Sequence, residues 1–201
     1  MGALFRLACL GVLIAVAGEP RAAKEPALRS GDVVLQTSKS SRSLLIRRAS
    51  HSPYSHTGVV EVAADGVWVI EAIQPVSRTP WKTWRARGAG GKVTVLRAKG
   101  LGADALAKVV AAAKRELGKP YDARYRWDDE RLYCSELVAK AFQRGAGLEV
   151  GKKERLDALA LSAAELALAK TAGIEPDQTL VTPGSLAEDP AFEQVSSDFT
   201  K

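Results

Sequence analysis

The strongest constraint on the fold of this sequence is a pair of apolar segments separated by a short turn. Residues 56–62 read HTGVVEV and residues 67–72 read VWVIEA, and both have the composition of β-strands. The AADG between them is typical of a tight turn and predicts an antiparallel hairpin. Because side chains alternate along a strand, a loop of two or four residues sets Gly58 opposite Glu71 and His56 diagonal to Glu71. A loop with an odd number of residues would break this match.

The order of the other patterns is mainly strands and then helices, which predicts an α+β fold. Two further strands are predicted, over the apolar run 32–36 and the alternating run 92–97. Helical spacing and capping signals predict four helices, over residues 40–49, 103–117, 134–144 and 162–172. Gly145 and Gly147 are expected to end the third helix. Pro183, Gly184 and the polar tail after them are expected to form a loop.

The N-terminus has the pattern of a secretory signal. Arg6 precedes an apolar run over residues 7–17, and small residues after it offer cleavage sites. The run is shorter than the roughly 20 residues that a membrane-spanning helix needs. We therefore expect residues 1–23 to be a signal peptide and residues 24–201 to form a single domain, with an uncleaved anchor as the alternative. The predicted location is periplasmic or secreted, in a bacterial envelope.

The charge of the chain bears on its partners. The formal net charge is +6, and the basic residues are scattered rather than gathered in a dense run. A positive surface favours association with anionic surroundings such as a bacterial wall or lipid headgroups. An exported chain without a basic cluster is not expected to bind nucleic acid.

Cys134 is the only cysteine outside the predicted leader, which contains Cys9. A lone thiol in an exported protein has no partner for an internal disulfide, so it is either a buried structural residue or a reactive one. Cys134 begins a predicted helix, where the partial positive charge of the helix terminus stabilises a thiolate. Its backbone N–H would then help to hold an oxyanion.

A thiol nucleophile needs a base, and the base needs a partner that fixes its tautomer. The hairpin geometry offers His56 as base and Glu71 as that partner, which predicts a Cys134–His56–Glu71 triad. Each member also has a structural alternative, since His56 could be a hydrogen-bonded strand end and Glu71 a solvated edge residue. One cysteine and two histidines give no zinc-ligand spacing, so neither a metal site nor a cofactor is predicted.

Several segments occur together in an order that resembles a known family. They are GDVV from Gly31, SPYSHTGVV from Ser52, VIEA from Val69, GKPYD from Gly118 and WDDERLYCSEL from Trp127. The set resembles the YiiX/YebB-like branch of the NlpC-type papain-fold superfamily in its circularly permuted form, of which lecithin:retinol acyltransferase is a more distant member. The resemblance spans about residues 31–147, and TPGSL from Thr182 resembles a further family segment.

The resemblance implies a papain-like fold in which a small antiparallel, barrel-like sheet packs against the helix that carries the cysteine. It also implies that Cys134 is the nucleophile, His56 the base and Glu71 the polar third residue, with a thioester intermediate. Four aromatic residues close to these motifs are candidates for lining the substrate cleft: Tyr54, Tyr121, Tyr133 and Trp127.

We therefore expect an exported cysteine hydrolase that cleaves an amide, with a cell-wall peptide as the expected substrate. One alternative is a lipid-directed acyl hydrolase or acyltransferase, which would need a long apolar groove. The other is a wall-binding module that performs no catalysis. Beyond the leader the sequence has no extended exposed apolar segment, which favours the peptide.

Overall fold

The structure, a computed structural model, describes residues 26–199. The predicted signal peptide over residues 1–23 lies outside the described residues. Within the described range, none of the helices has both the length and the apolar character needed to cross a membrane.

Antiparallel strands form the centre of the fold. Residues 26–199 contain eight strands: β1 (Val33–Gln36), β2 (His56–Ala63), β3 (Gly66–Glu71), β4 (Ser77–Pro80), β5 (Thr94–Ala98), β6 (Lys153–Arg155), β7 (Thr179–Val181) and β8 (Phe192–Ser197). Six of them form one sheet in the order β4-β3-β2-β1-β5-β8, and β6 pairs with β7. All of these pairings are antiparallel.

Helices cover both faces of the large sheet. Residues 26–199 also contain six α-helices: α1 (Ser43–Ala49), α2 (Trp81–Arg87), α3 (Ala103–Lys114), α4 (Cys134–Ala146), α5 (Ala163–Thr171) and α6 (Pro183–Ala187). Helix α4 packs against α3 and β2 on one face, while Trp81 and Trp84 of α2 pack with Val34 and Val69 on the other. Burial on both faces explains why β1 is a continuous apolar run instead of an alternating one. The predicted α+β class is confirmed.

The β2–β3 hairpin has the predicted register. Val62 pairs with Val67, and Ala63 pairs with Gly66, so the loop has an even length. Continuing this register by one pair beyond Val59 and Ile70 sets Gly58 opposite Glu71. The prediction from side-chain alternation is therefore confirmed.

The C-terminal tail differs from the sequence expectation. The segment predicted to be a loop forms α6 and β8. The Thr182 side chain accepts a hydrogen bond from the Ser185 backbone at 3.0 Å, and Pro183 occupies the first helical position, both of which favour helix initiation. Strand β8 is polar in sequence and forms because β5 offers it an edge to pair with. Residues 77–87, for which no element was predicted, form β4 and α2.

Of the two glycines expected to end α4, Gly147 caps the helix in a left-handed conformation, whereas Gly145 lies inside the helix, which runs to Ala146. A Cβ at position 145 would lie 2.4 Å from the backbone nitrogen of Val109 and 2.5 Å from its Cα. The α3 and α4 backbones therefore approach closely at Gly145, and its missing side chain permits that packing.

We expect Gly145→Ala to lower the free energy of unfolding by about 1–3 kcal/mol, because the new methyl group forces α3 away from α4. The measurement is urea denaturation of the purified protein. An ordinary helical Gly→Ala change stabilises the protein by about 0.5–1 kcal/mol. A loss of stability therefore indicates steric conflict between α3 and α4, whereas a gain indicates an ordinary helix position. Gln143→Ala, an exposed change on the same helix, is the control and leaves stability nearly unchanged. A Gly145→Ala protein as stable as the parent contradicts the packing argument.

Candidate active site

Cys134 is the first residue of α4 and is a free thiol, 3% exposed. Tyr133 before it is extended, so the helix begins at the cysteine itself. The first N–H groups of a helix have no partner inside the helix, and they present a partial positive charge to the thiol. Cys134 therefore lies at the positive end of the helix dipole, a position where nucleophilic cysteines are often found.

His56 begins β2 and lies between Cys134 and Glu71. Its Nε2 lies 2.5 Å from Oε2 of Glu71, and Cys134 is close enough to raise the pKa of His56. Because Nε2 faces the carboxylate, Nδ1 is the ring nitrogen left for the thiol. Burial lowers the pKa of His56, but the hydrogen bonds and charges of Cys134 and Glu71 outweigh it and raise the pKa to about 9. The imidazolium form is therefore favoured at neutral pH.

Glu71 is the fully buried carboxylate of the site, 0% exposed. Besides His56, it accepts hydrogen bonds from Thr79 Oγ1, at 2.6 Å, and from Arg87 Nη2, which donates to both oxygens. Burial raises the pKa of Glu71, but the bonds from His56, Arg87 and Thr79 more than offset it and lower the pKa to about 2. Glu71 is therefore ionised at neutral pH and holds the His56 ring in place.

Arg87 and Thr79 belong to this site but were not found by sequence reasoning. They lie in α2 and β4, the two elements for which the sequence offered no prediction. Thr79 reaches Glu71 because β4 pairs with β3 at the sheet edge. Arg87 reaches Glu71 because α2 packs against β3 and β4. Neither residue carries a motif, and only the tertiary packing brings them to the carboxylate.

The close approach of β2 and β3 beside the site depends on Gly58. A Cβ at this position would lie 2.5 Å from Val69 Cγ1 and 2.8 Å from the Ile70 carbonyl oxygen. Any side chain here would push the two strands apart. The missing side chain thus keeps His56 and Glu71 within hydrogen-bonding distance.

A buried ion pair supports the start of α4. Glu136 is fully buried, and its Oε1 lies 2.7 Å from Lys140 Nζ. Its Oε2 accepts a hydrogen bond from the Tyr133 backbone at 3.3 Å. Burial raises the pKa of Glu136 to about 7 against the opposing effect of Lys140. Glu136 thus lies in the first turn of α4 as a buried residue, and its carboxylate secures the residue just before Cys134.

Two cavities lie beside His56 and Cys134. The polar cavity, about 450 Å³ in volume, is lined by His56 and also by Gln36, Arg42, Arg87, Tyr121 and Tyr125. The leucine-lined cavity, about 460 Å³, is lined by Cys134 and Tyr133. Its aliphatic wall includes five leucines from one part of the chain: Leu156, Leu159, Leu161, Leu168 and Leu180.

Two of the four predicted aromatic residues lie beside these cavities. Tyr121 lines the polar cavity and Tyr133 lines the leucine-lined cavity. Tyr125, which the sequence reasoning did not select, lines both. It contacts the rings of Tyr121 and Tyr133 edge to face. The tyrosines therefore form a wall between the two cavities.

The structure places the other two aromatic residues elsewhere. Tyr54 is buried in the core, with its hydroxyl 2.9 Å from Thr94 Oγ1 and its ring against Phe199. Trp127 lies under Lys153, whose Nζ is 4.1 Å from the ring centroid. Neither lines the two cavities beside Cys134 and His56, because the Tyr54 side chain points into the core and Trp127 lines a separate pocket with Ala139 and Gln143 of α4.

Comparisons with known proteins agree with this geometry. The family model described as "Permuted papain-like amidase enzyme, YaeF/YiiX, C92 family" matches residues 27–196. The chain is 37% identical to YiiX of Escherichia coli (strain K12) over 199 residues, which is 96% of each chain. It also matches the crystal structure of yiiX from Escherichia coli O157:H7, described as a metalloprotein. That match has a TM-score of 0.80 and 38% identity, and it covers 86% of this chain and 98% of that chain.

These findings confirm the permuted papain-like fold that the motif order predicted. They also account for the position of the cysteine, since a papain-like enzyme carries its nucleophile at the start of the helix that packs against the sheet. The chain belongs to the YaeF/YiiX family of permuted papain-like amidases and is a cysteine amidase-type hydrolase.

Proposed function

We propose that Cys134, His56 and Glu71 act as a catalytic triad that hydrolyses an amide through a thioester. The observation that carries this proposal is the position of His56, which pairs with the ionised Glu71 on one side and lies close enough to Cys134 on the other to be affected by it. An ion pair of thiolate and imidazolium is the reactive form of such a site. A binding module needs neither of these contacts, so the arrangement favours catalysis.

The steps follow from this geometry. The Sγ of Cys134 attacks the amide carbonyl carbon, and the charge that develops on the oxygen is stabilised at the N-terminus of α4. His56 then gives its proton to the leaving nitrogen as the C–N bond breaks, which leaves a thioester on Cys134. A water molecule attacks the thioester while His56 takes its proton, and the C–S bond breaks to restore the thiolate. Glu71 stabilises the His56 cation throughout.

The description of one relative as a metalloprotein raises the question of a resident metal ion here. Within residues 26–199, no three His, Cys, Asp or Glu side chains form a group that could hold one. Both oxygens of Glu71 already accept hydrogen bonds from Arg87, and one accepts another from Thr79. The donor set therefore does not fit a resident metal ion, and every step uses the side chains of the chain itself.

Two substrates are candidates. The first is a cell-wall peptide, as predicted from the sequence, with the enzyme exported to the bacterial envelope. The pattern of residues 1–23 and the net charge of +6 support that location. The second is an acyl amide, which is the lipid-directed alternative. It is favoured by the aliphatic wall of the cavity that Cys134 faces.

We expect iodoacetamide to alkylate Cys134 near pH 6.5 at least about tenfold faster than it alkylates a His56→Gln variant, because the imidazolium stabilises the thiolate. The measurement is mass spectrometry of the peptide that contains Cys134, which separates it from Cys9. A Cys134→Ser variant gives the background and has no hydrolytic activity. Equal alkylation rates in the parent and the His56→Gln variant at every pH would refute the triad.

Glu71→Gln is expected to lower kcat/KM by about 10²–10⁴-fold, as for loss of an acid–base group. In the parent, activity falls as pH rises through about 9, because His56 loses the proton that the leaving amine requires. Removing the carboxylate lowers the pKa of His56, so the alkaline limb of the pH profile moves to lower pH. A profile that keeps its alkaline limb in the variant argues against this role of Glu71.

Arg87 is a positioning residue for Glu71, so Arg87→Gln is expected to cause a smaller loss of kcat than Glu71→Gln. Because it removes a positive charge beside the His56–Glu71 pair, it is expected to raise the pKa of His56 and to move the alkaline limb to higher pH. Arg87→Lys restores part of both, since it keeps the charge beside the carboxylate. Lys82→Gln, on the same helix and exposed, is the matched control and behaves as the parent. An Arg87→Gln protein with an unchanged pH profile would show that Arg87 has no influence on the triad.

A further inference from the structure

We propose that helices α1 and α5 together form a surface that docks on a membrane containing anionic phospholipids. This α1–α5 surface consists of six residues: Leu44, Arg47, Arg48, Ala164, Ala167 and Leu168. Of these, Leu168 also lines the leucine-lined cavity, and the other five lie outside both cavities beside His56 and Cys134. The proposal concerns where the protein is held, and it does not depend on what the triad cleaves.

The two most exposed large apolar side chains of residues 26–199 lie on these helices. Leu168 is 62% exposed and Leu44 is 52% exposed, and Val62 follows at 44%. Leu44 lies one turn before Arg48 in α1, and Leu168 lies one turn after Glu165 in α5. Arg48 Nη1 donates a hydrogen bond to Glu165 Oε1 at 2.6 Å. This ion pair joins the two helices and therefore brings both leucines to one side of the protein.

The outer face of α5 is almost entirely apolar. Four exposed residues follow the i, i+3, i+4, i+7 spacing of one helix face: Ala164, Ala167, Leu168 and Thr171. Ala169, on the opposite side of the helix, is buried. The solvent-facing side of a surface helix is ordinarily charged or polar. A contiguous apolar face in that position is typical of an interaction site.

Cations border this apolar face. Arg47, Arg48 and His51 line a groove of about 410 Å³ together with Leu44, and the lining of the groove contains no Asp or Glu. Arg48 pairs with Glu165, but within residues 26–199 Arg47 takes part in no ion pair, and its buried Nε has no hydrogen-bond partner. A phosphate oxygen would accept hydrogen bonds from such a guanidinium group. The charge of the groove therefore fits an anionic partner.

The combination of leucines and arginines favours a lipid membrane over other anionic partners. A wall polymer would pair with the arginines, but it would leave the leucines against sugars and amides. A second copy of this chain would place arginine against arginine. An anionic membrane suits both groups, because phosphates bind the guanidinium groups at headgroup level while leucines enter the boundary of the acyl chains.

The first experiment measures contact of single positions with the bilayer. Leu44→Cys and Ala167→Cys are each made in a full-length chain with Cys9→Ser and Cys134→Ser, and the new thiol is labelled with the fluorophore NBD. We expect vesicles of phosphatidylcholine and phosphatidylserine that contain a spin-labelled lipid to quench both probes at least about twofold, because both positions enter the acyl boundary.

Leu117→Cys in the same chain is the matched control. Leu117 is 38% exposed and lies just after α3, outside the α1–α5 surface, so its probe is expected to keep its fluorescence. Residues 1–23 are identical in the three labelled chains, and a difference between the positions is therefore independent of the predicted leader.

The second experiment tests the charge. The measurement is the phosphatidylserine concentration that gives half of the quenching at position 167. Arg47→Gln is expected to raise this concentration about fivefold, as for one arginine near an anionic surface. Arg115→Gln, an exposed change at the end of α3, removes the same charge elsewhere and leaves the concentration unchanged. Added salt is expected to weaken docking of the parent more than docking of Arg47→Gln.

Three outcomes would overturn the proposal. Quenching at position 117 equal to that at positions 44 and 167 would show that another surface faces the bilayer. Equal quenching by vesicles of phosphatidylcholine alone would exclude a role for anionic lipid. A change in NBD emission that grows with protein concentration and needs no vesicles would show that a second copy covers the surface. The labelled chains lack the thiol of Cys134, so none of these outcomes bears on the triad.

Discussion

The buried carboxylate of Glu71 is the constraint around which the rest of the site is arranged. An ionised carboxylate excluded from water is stable only when its oxygens are hydrogen bonded and its charge is balanced. Three elements meet this need: β2 supplies His56, β4 supplies Thr79 and α2 supplies Arg87. The same contacts fix the imidazole against Cys134. The contacts that stabilise the buried charge of Glu71 are therefore the same contacts that orient His56, the proposed base.

Helix α4 joins that charged network to the leucine-lined cavity. Its first residue is the thiol, its first two turns hold the buried Glu136–Lys140 pair, and its body packs on α3 through Gly145. Cys134 lines the leucine-lined cavity, whereas His56 lines the polar one. The two cavities differ in their lining because different segments of the chain build their walls.

Sequence reasoning succeeded where the interaction was local or had a fixed period. Strand alternation and an even loop length were enough to bring His56 beside Glu71, and the observed register agrees. It failed at α2 and β4, whose residues have neither a clear period nor a turn signal. It also failed for Tyr54 and Trp127, since closeness in sequence to a motif does not decide which way a side chain points.

The sequence by itself determined the hairpin, the helix that starts at Cys134, the order of the motifs and hence the family, because each depends on spacing along the chain. Only the tertiary structure decided that Arg87 neutralises Glu71, that Thr79 donates a hydrogen bond to it and that Tyr125 lies between two cavities. It alone assembled leucines scattered over residues 156–180 into one wall beside the thiol. Those contacts join residues that are far apart in the sequence. Long-range packing brings them together, and it leaves no periodic pattern in the sequence from which the contacts could be predicted.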